Sequence, residues 1–157
     1  SSDLLVAGTI MSGVLITTVM SVLVMVGGLL ITGIKLAGGA NTFILLLVTM
    51  ALTALGLLSM IFTVLGRADH PRIVGVLVGF LNVIFYFPSG AVYPIESLPG
   101  WLRAFATVNP EAYAVHAFKE LILKGSGFIA VRGDLFFLAC FTAFMLLLAT
   151  LTFKRTM

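Results

Sequence analysis

The sequence contains few charged residues, and this limits the classes of protein to which the chain can belong. Only 10% of its 157 residues are charged and 61% are hydrophobic, whereas soluble domains average about 25% charged and 45–50% apolar residues. The mean hydropathy is +1.21, so the chain carries more apolar surface than a soluble core of this size could bury. The composition therefore predicts an integral membrane protein.

Cysteine, basic runs and nucleotide-binding motifs are also scarce or absent. The single cysteine, Cys140, excludes an internal disulfide. Nine basic residues face six acidic ones but form no Lys/Arg-rich run, which argues against a nucleic-acid partner. No Gly-x-x-x-x-Gly-Lys-Ser/Thr motif is present, so the chain cannot hold ATP phosphates through a P-loop. We therefore expect this chain to bind no cofactor. Energy for its activity should come from another polypeptide or from an ion gradient.

Long uncharged runs predict an all-α integral membrane protein with four transmembrane helices. A spanning helix needs about 20 mainly apolar residues, and such runs cover approximately 4–34, 42–65, 73–87 and 135–153. The first run is longer than a bilayer core requires, so we expect it to project beyond the core or to bend at Gly27-Gly28. The third is short and ends at Pro88, and short or Pro-interrupted spans are typical of transport pathways.

Residues 88–125 hold four of the five prolines and predict a re-entrant or extracellular cap of two short helices. Irregular backbone at membrane depth is expected only beside protein or a water-filled cavity. Ser97 is predicted to cap the first short helix, with Pro99 in its first turn. Asn109 is predicted to cap the second, with Pro110 at its first helical position.

The second short helix carries charged side chains along its length. Glu120 and Lys124 are four residues apart and should pair, and Gly125 should end the helix. His116 and Glu120 alone provide too few ligands for a metal site, so none is predicted. We expect a gate or structural lid formed by Pro94, Glu96, Pro99, Asn109, Pro110, His116 and Glu120.

Two segments of this region resemble a known family. The run SGAVYPIESLPGWL at 89–102 and the run VNPEAYA at 108–114 are similar to the signature of type-2 ATP-binding-cassette (ABC) exporter permeases. His116 and Lys119 depart from the residues usual in that family. The resemblance implies six spans, so the first two spans and the main coupling helix are expected outside this sequence, in a longer chain.

The resemblance also implies partners and a location. A separate ABC ATPase subunit would hydrolyse ATP-Mg, and a second permease copy, identical or different, would complete the pathway. The chain would lie in the lipid of the plasma or inner membrane as a multi-pass protein. From the basic residues nearest the span ends, we expect both chain ends in the cytoplasm and the cap outside.

Specific side chains are candidates for each role. The substrate path is predicted to involve Phe80, Asn82, Phe85 and Tyr86, although the aromatic rings suit lipid contact equally well. For Asn82 the alternative is an ordinary interhelical hydrogen bond. Gly75 and Gly79 form a Gly-x-x-x-Gly motif that predicts a dimer contact. The loop after the second span predicts an ATPase contact, or alternatively a solvated turn, formed by Arg67, Asp69, His70 and Arg72.

The favoured function is that of an exporter permease moving a lipophilic drug, a lipid or a lipid-linked glycan out of the cytoplasm. One alternative is an ion-coupled carrier or channel. That alternative requires ionisable residues within the membrane, and the predicted spans contain none, because Asp69 and Asp134 are assigned to loops. Another is a structural assembly protein whose cap is a docking surface. The absence of paired intramembrane aspartates argues against a membrane enzyme.

Overall fold

The computed structural model describes residues 2–65, 68 and 70–154. Within these residues the regular structure is entirely helical. The six α-helices are α1 (Ser2–Thr32), α2 (Gly39–Leu65), α3 (Pro71–Tyr86), α4 (Gly100–Ala106), α5 (Pro110–Ile122) and α6 (Phe128–Lys154). Two 3₁₀ turns, Phe87–Ser89 and Ile95–Ser97, lie between α3 and α4.

Four helices in the described part are long and apolar enough to cross a membrane. They cover Leu4–Thr32, Gly39–Leu65, Pro71–Ser89 and Phe128–Thr152. This confirms the predicted fold class, an all-α membrane protein with about four spans. The first helix continues through Gly27 and Gly28 without interruption and ends at Thr32, where Gly33 takes a positive φ of 70°. Glycine adopts that left-handed conformation without a Cβ penalty, which suits the end of a helix.

The core is shared by α2, α5 and α6. Its buried apolar side chains come from α2 (Leu45, Leu46), α5 (Ala117, Leu121) and α6 (Val131). Leu46, Leu121 and Val131 are completely buried. Burying such side chains contributes roughly 1.5–3 kcal/mol each in water, but inside a bilayer helix association depends more on close packing.

The α2 helix packs tightly against α6 at Gly56. A Cβ on that residue would meet Phe141 Cδ1 and Thr142 Oγ1, both at 2.9 Å. The Thr142 hydroxyl donates a hydrogen bond of 2.9 Å to the carbonyl of Leu52. Small residues and hydroxyl groups at helix contacts are typical of membrane bundles, so this contact fixes α6 against the middle of α2.

The α5 helix runs alongside α2. At its start, Glu111 shares a cavity with Leu57 and Met60 of α2. Near its end, Leu121 packs with Leu45 of α2. A helix of 13 residues is about 20 Å long, which is too short to cross a membrane alone.

The α3 helix lies at the edge of this arrangement. It contacts α5 and the 3₁₀ turn that follows it. Within Pro71–Tyr86, all of which the structure describes, no residue is buried. With 16 residues it is about 24 Å long, shorter than the hydrocarbon core of about 30 Å. This short, exposed helix is the one interrupted by proline.

The α6 helix starts earlier than the span predicted at 135–153. It begins at Phe128, so Arg132 and Asp134 lie inside α6 and inside the candidate span. The assignment of Asp134 to a loop is therefore wrong, whereas residues 135–153 themselves contain no Asp, Glu, Lys, Arg or His. Asp134 is tolerated there because its carboxylate pairs with His116 of α5.

Candidate functional site

The break after α3 is held by polar contacts to its own backbone. Pro88 has no N–H to continue the helix. The Ser89 hydroxyl donates to the carbonyl of Tyr86 at 2.5 Å and accepts from the N–H of Ala91 at 3.3 Å. Gly90 then adopts a φ of +84°, which favours glycine. These bonds satisfy backbone groups that hydrocarbon could not.

Two side chains of the cap attach to the end of α3. The amide of Asn109, which is completely buried, donates to the carbonyl of Phe85 at 2.7 Å. Its side-chain oxygen accepts from the N–H of Glu111 at 3.0 Å. The Lys119 ammonium donates to the carbonyl of Gly90 at 2.5 Å. The predicted cap at Asn109, with Pro110 following it, is confirmed, but its bond to Phe85 was not foreseen.

The segment before α4 differs from the prediction. The helix begins at Gly100, with Pro99 at the capping position. Ser97 belongs to the preceding 3₁₀ turn and its hydroxyl donates back to the carbonyl of Pro94 at 2.7 Å. The predicted N-cap at Ser97 is therefore wrong, because α4 begins three residues further on and Ser97 lies in the preceding 3₁₀ turn.

Arg103 holds this segment in place. Its guanidinium donates to the carbonyl of Glu96 at 2.9 Å and to that of Leu98 at 3.2 Å. The contact at Glu96 is thus made by its backbone, while the residue itself is exposed. A planar guanidinium with several donors suits such a double contact.

A charged cluster joins α5 to α6. His116 Nδ1 lies 2.7 Å from Asp134 Oδ2, and His116 Nε2 lies 3.9 Å from Glu120 Oε1. Glu120 is also bound by the Lys124 ammonium at 2.5 Å and by the Ser126 hydroxyl at 2.9 Å. These two bonds, led by that from Lys124, lower the pKa of Glu120. The predicted pairing of Glu120 with Lys124 is confirmed.

The predicted lid residues therefore form three groups. Asn109 and Pro110 lie at the start of α5. Further along α5, His116 pairs with Asp134 of α6, whereas Glu120 is bound by Lys124 and Ser126. The remaining three, Pro94, Glu96 and Pro99, lie in the exposed segment before α4. A cavity of about 310 Å³ lies beneath that segment, lined by Ile95, Arg103, Ala106, Thr107, Ala112, Tyr113, His116 and Asp134. Tyr113 at its edge stacks on Phe137 of α6, with ring centres 3.8 Å apart.

The predicted path residues lie on α3 but not in one pocket. Phe80 is 62% exposed and Tyr86 is 45% exposed. Phe85 is half-buried, and its ring lies 5.7 Å from that of Phe105. Asn82 and Phe85 line a cavity of about 90 Å³ between α2, α3 and α5, together with Glu111.

Glu111 is the functional candidate that sequence reasoning missed. Its position in the first turn of a helix suggested only a favourable charge near the helix dipole. The signal that could have found it is the spacing of α5, which turns Glu111 towards the same side as the packed residues Ala114 and Leu121.

The structure describes some of the residues predicted to contact an ATPase or a second copy. Arg67 and Asp69 lie outside the described residues. His70 precedes α3 with an extended backbone, and Arg72 lies in its first turn; both are exposed. At Gly75 and Gly79 a Cβ would meet nothing within 4 Å, so this face of α3 is open to a neighbouring helix.

Two known proteins are similar in sequence to this chain. The chain is 29% identical over 92 residues to ABC transporter G family member 20 of Dictyostelium discoideum, over 55% of this chain and 12% of that protein. It is 33% identical over 78 residues to a protein designated as a transport permease, ycf38, of Porphyra purpurea, over 50% of this chain and 25% of that protein. The chain thus matches a quarter or less of the length of these two relatives. No solved structure matches it.

The family assignment rests on a longer match. Residues 2–123 fit the ABC-2 type transporter family, from the start of α1 to just beyond α5. That range includes the helix break after α3, the Asn109 cap and most of the cap region. The chain therefore belongs to the ABC-2 type transporter family.

Proposed function

We propose that this permease exports a lipophilic drug, a lipid or a lipid-linked glycan from the cytoplasm. Two permease copies, identical or different, face each other across one pathway. A separate ABC ATPase subunit binds and hydrolyses ATP-Mg. Both ends of the chain lie in the cytoplasm of a cell whose plasma or inner membrane contains the protein, and the cap faces outward.

The observation that carries this proposal is the exposure of α3. A crossing helix without a buried residue must be covered by lipid or by another subunit. Asn82, in the second half of α3, is exposed, and polar groups within a membrane usually face protein or water. A second copy of α3 would give Asn82 such surroundings and place Phe80 and Tyr86 along the shared path.

The open face at Gly75 and Gly79 supports this arrangement. Two small residues four positions apart lie on the same face of a helix and permit close backbone approach between helices. Because nothing lies within 4 Å of a Cβ built at either position, no residue in the described part of the chain packs against this face.

The contacts of the cap support a role as an outer gate. Asn109 and Lys119 join α5 to the end of α3, while His116 joins α5 to α6. A displacement of α3 is thereby transmitted to the cap through hydrogen bonds rather than through a flexible loop. The predicted gate residues Pro94, Glu96 and Pro99 lie above the cavity next to this junction.

The start of α3 is the proposed ATPase contact. His70 and Arg72 are exposed there, and in the proposal they act with Arg67 and Asp69 of the same loop. Arg72→Glu should reduce transport per ATP hydrolysed, because the reversed charge disturbs the subunit contact. Lys35→Glu, a reversal in the exposed loop between α1 and α2, is the matched control and should leave coupling unchanged.

The decisive experiment measures transport by the full-length protein together with its ATPase. Inside-out vesicles are given fluorescent lipid or lipophilic dye, with ATP or with a non-hydrolysable analogue. ATP-dependent accumulation that persists after ionophores dissipate the ion gradients supports an exporter. Accumulation that follows an imposed ion gradient without ATP would refute it.

The second outcome corresponds to a specific alternative, an ion-coupled carrier. Arg132 and Asp134 lie inside the candidate span of α6, and ionisable residues at such positions can mark ion pathways. Asp134→Asn distinguishes the two functions. If the protein is an ion-coupled carrier, the variant should lose gradient-driven transport. If it is an ATP-driven exporter, transport by the variant should still depend on ATP.

A further inference from the structure

The cavity between α2, α3 and α5 combines an apolar wall with two polar side chains. Its apolar lining comes from α2 and α3, and the polar groups are Asn82 of α3 and Glu111 of α5. The volume is about 90 Å³. Since a water molecule occupies roughly 30 Å³ in the liquid, the cavity holds about three groups of that size.

Glu111 is an acidic residue whose charge has no partner among the described side chains. Its side chain is half-buried and lies beside Leu57, Met60 and Phe85. Among the residues that the structure describes, no hydroxyl, amide or cationic side chain bonds to its carboxylate. The nearby glutamate of α5 differs, because Glu120 is bound by both Lys124 and Ser126.

Such a carboxylate requires a proton or a cation. Transferring an unpaired charge into an apolar environment costs several kcal/mol or more. The first-turn position of Glu111 explains why an acidic residue is favourable in α5, but not why it lines an apolar cavity with Asn82. A primary ammonium group would complete this set, since it has three donors and no acceptor.

We infer that this cavity binds the ammonium group of a lipophilic amine. The carboxylate of Glu111 supplies the countercharge, the side-chain oxygen of Asn82 accepts a second hydrogen bond, and the ring of Phe85 offers a cation–π contact. The cavity accommodates the ammonium and its first carbon atoms. The apolar remainder of the ligand lies along the exposed side of α3, where Phe80 and Tyr86 are uncovered.

This inference rests on the proposed function, because it names the cargo class of the same pathway. A cationic amphiphile and a lipid with an amine headgroup share the recognised chemistry. Binding can be measured without transport, so the site and the exporter function can fail separately.

The test uses the full-length protein in phosphatidylcholine nanodiscs, with empty nanodiscs correcting for partition into lipid. Dodecylammonium is the probe, and dodecanol is the neutral probe with the same chain. Titration calorimetry is performed on the wild type, Glu111→Gln and Asn82→Ala. Glu96→Gln is the matched control, because it removes an exposed carboxylate of the same cap that does not line the cavity. Trp101 fluorescence confirms that each variant is folded.

We expect Glu111→Gln to weaken dodecylammonium binding at least tenfold and Asn82→Ala to weaken it severalfold. Glu96→Gln should bind like the wild type, and dodecanol should bind all four proteins alike. Equal affinity of the wild type and Glu111→Gln for dodecylammonium would overturn the site. An equal loss in Glu96→Gln would also overturn it, by indicating general surface charge.

A second arm identifies the source of the amine. Phosphatidylethanolamine in the nanodiscs should compete with dodecylammonium in a Glu111-dependent manner if the natural ligand is a lipid headgroup. Absence of competition assigns the site to free amphiphilic amines. Binding without ATP-dependent transport would uphold the site and reject the exporter. Transport of neutral lipid without amine binding would reject the site and uphold the exporter.

Discussion

Replacing Asn109 tests whether one side chain joins α3 to the cap. Its amide donates to the carbonyl of Phe85 and its oxygen accepts from the N–H of Glu111. Loss of an N-cap costs about 1 kcal/mol, and an unsatisfied buried carbonyl costs about 1–3 kcal/mol. Asn109→Ala should therefore lower the free energy of unfolding by about 2–4 kcal/mol.

The two contributions can be separated with a second variant. Asn109→Ser keeps a good capping oxygen, but its shorter side chain does not reach the carbonyl of Phe85. We expect it to recover about 1 kcal/mol relative to Asn109→Ala. Asn41→Ala is the control, because this asparagine is exposed on α2 and surface substitutions usually change stability by less than about 0.5 kcal/mol.

The measurement is reversible unfolding by dodecyl sulfate in mixed micelles. Trp101, the only tryptophan of the chain, lies on α4 within the cap and reports directly on this region. If Asn109→Ala unfolds with the same free energy as Asn41→Ala, to within about 0.5 kcal/mol, then Asn109 does not hold the cap and the reasoning is wrong.

Three further predictions concern packing, assembly and pH. Gly56→Val should lower the free energy of unfolding by about 1–3 kcal/mol, because the larger side chain overpacks the contact with α6. Gly27→Val is the control: its side chain meets no neighbour, so only a small loss of helix propensity is expected. Similar losses in the two variants would contradict the α2–α6 contact. In a Cys140→Ala background, Gly75→Cys should give disulfide-linked dimers on oxidation in membranes, and Gly27→Cys should not. Mobility on a non-reducing gel distinguishes dimers from monomers. Because Lys124 and Ser126 hold the pKa of Glu120 below its ordinary 4.5, the stability from this carboxylate is present above pH 4.5 and is lost as pH falls through the lowered pKa. Glu120→Gln should therefore make the free energy of unfolding depend less on pH in the acid range. An unchanged pH dependence would count against the pairing.

Local sequence patterns were sufficient for the helices and for part of the cap. Long uncharged runs predict spans because the bilayer requires them, and Asn109-Pro110 predicts a helix start because the capping chemistry lies within three residues. Gly125, with a φ of 62°, ends the α5 region for a similarly local reason. Ser97 shows the limit of this reasoning, because a serine that suits an N-cap suits equally the 3₁₀ turn in which its hydroxyl donates to the carbonyl of Pro94.

The contacts that define the candidate site are not local. Asn109 reaches Phe85 across 24 residues, Lys119 reaches Gly90 across 29, and His116 reaches Asp134 across 18. No periodicity encodes such pairs. The start of α6 was missed for the same reason, since Asp134 looked like a loop residue until its partner on another helix was known.

The distribution of burial separates stability from function in this permease. The α2, α5 and α6 helices share the core, whereas α3 contributes no buried residue and is attached to the cap through hydrogen bonds from Asn109 and Lys119. In the proposed exporter, residues on the exposed face of α3 can therefore change, with little loss of packing, according to what the pathway must accommodate. Changes at the core positions of α5 would instead disturb α2 and α6 together. A peripheral helix joined to a fixed bundle at its broken end is the arrangement that best allows α3 to shift while the cap remains attached.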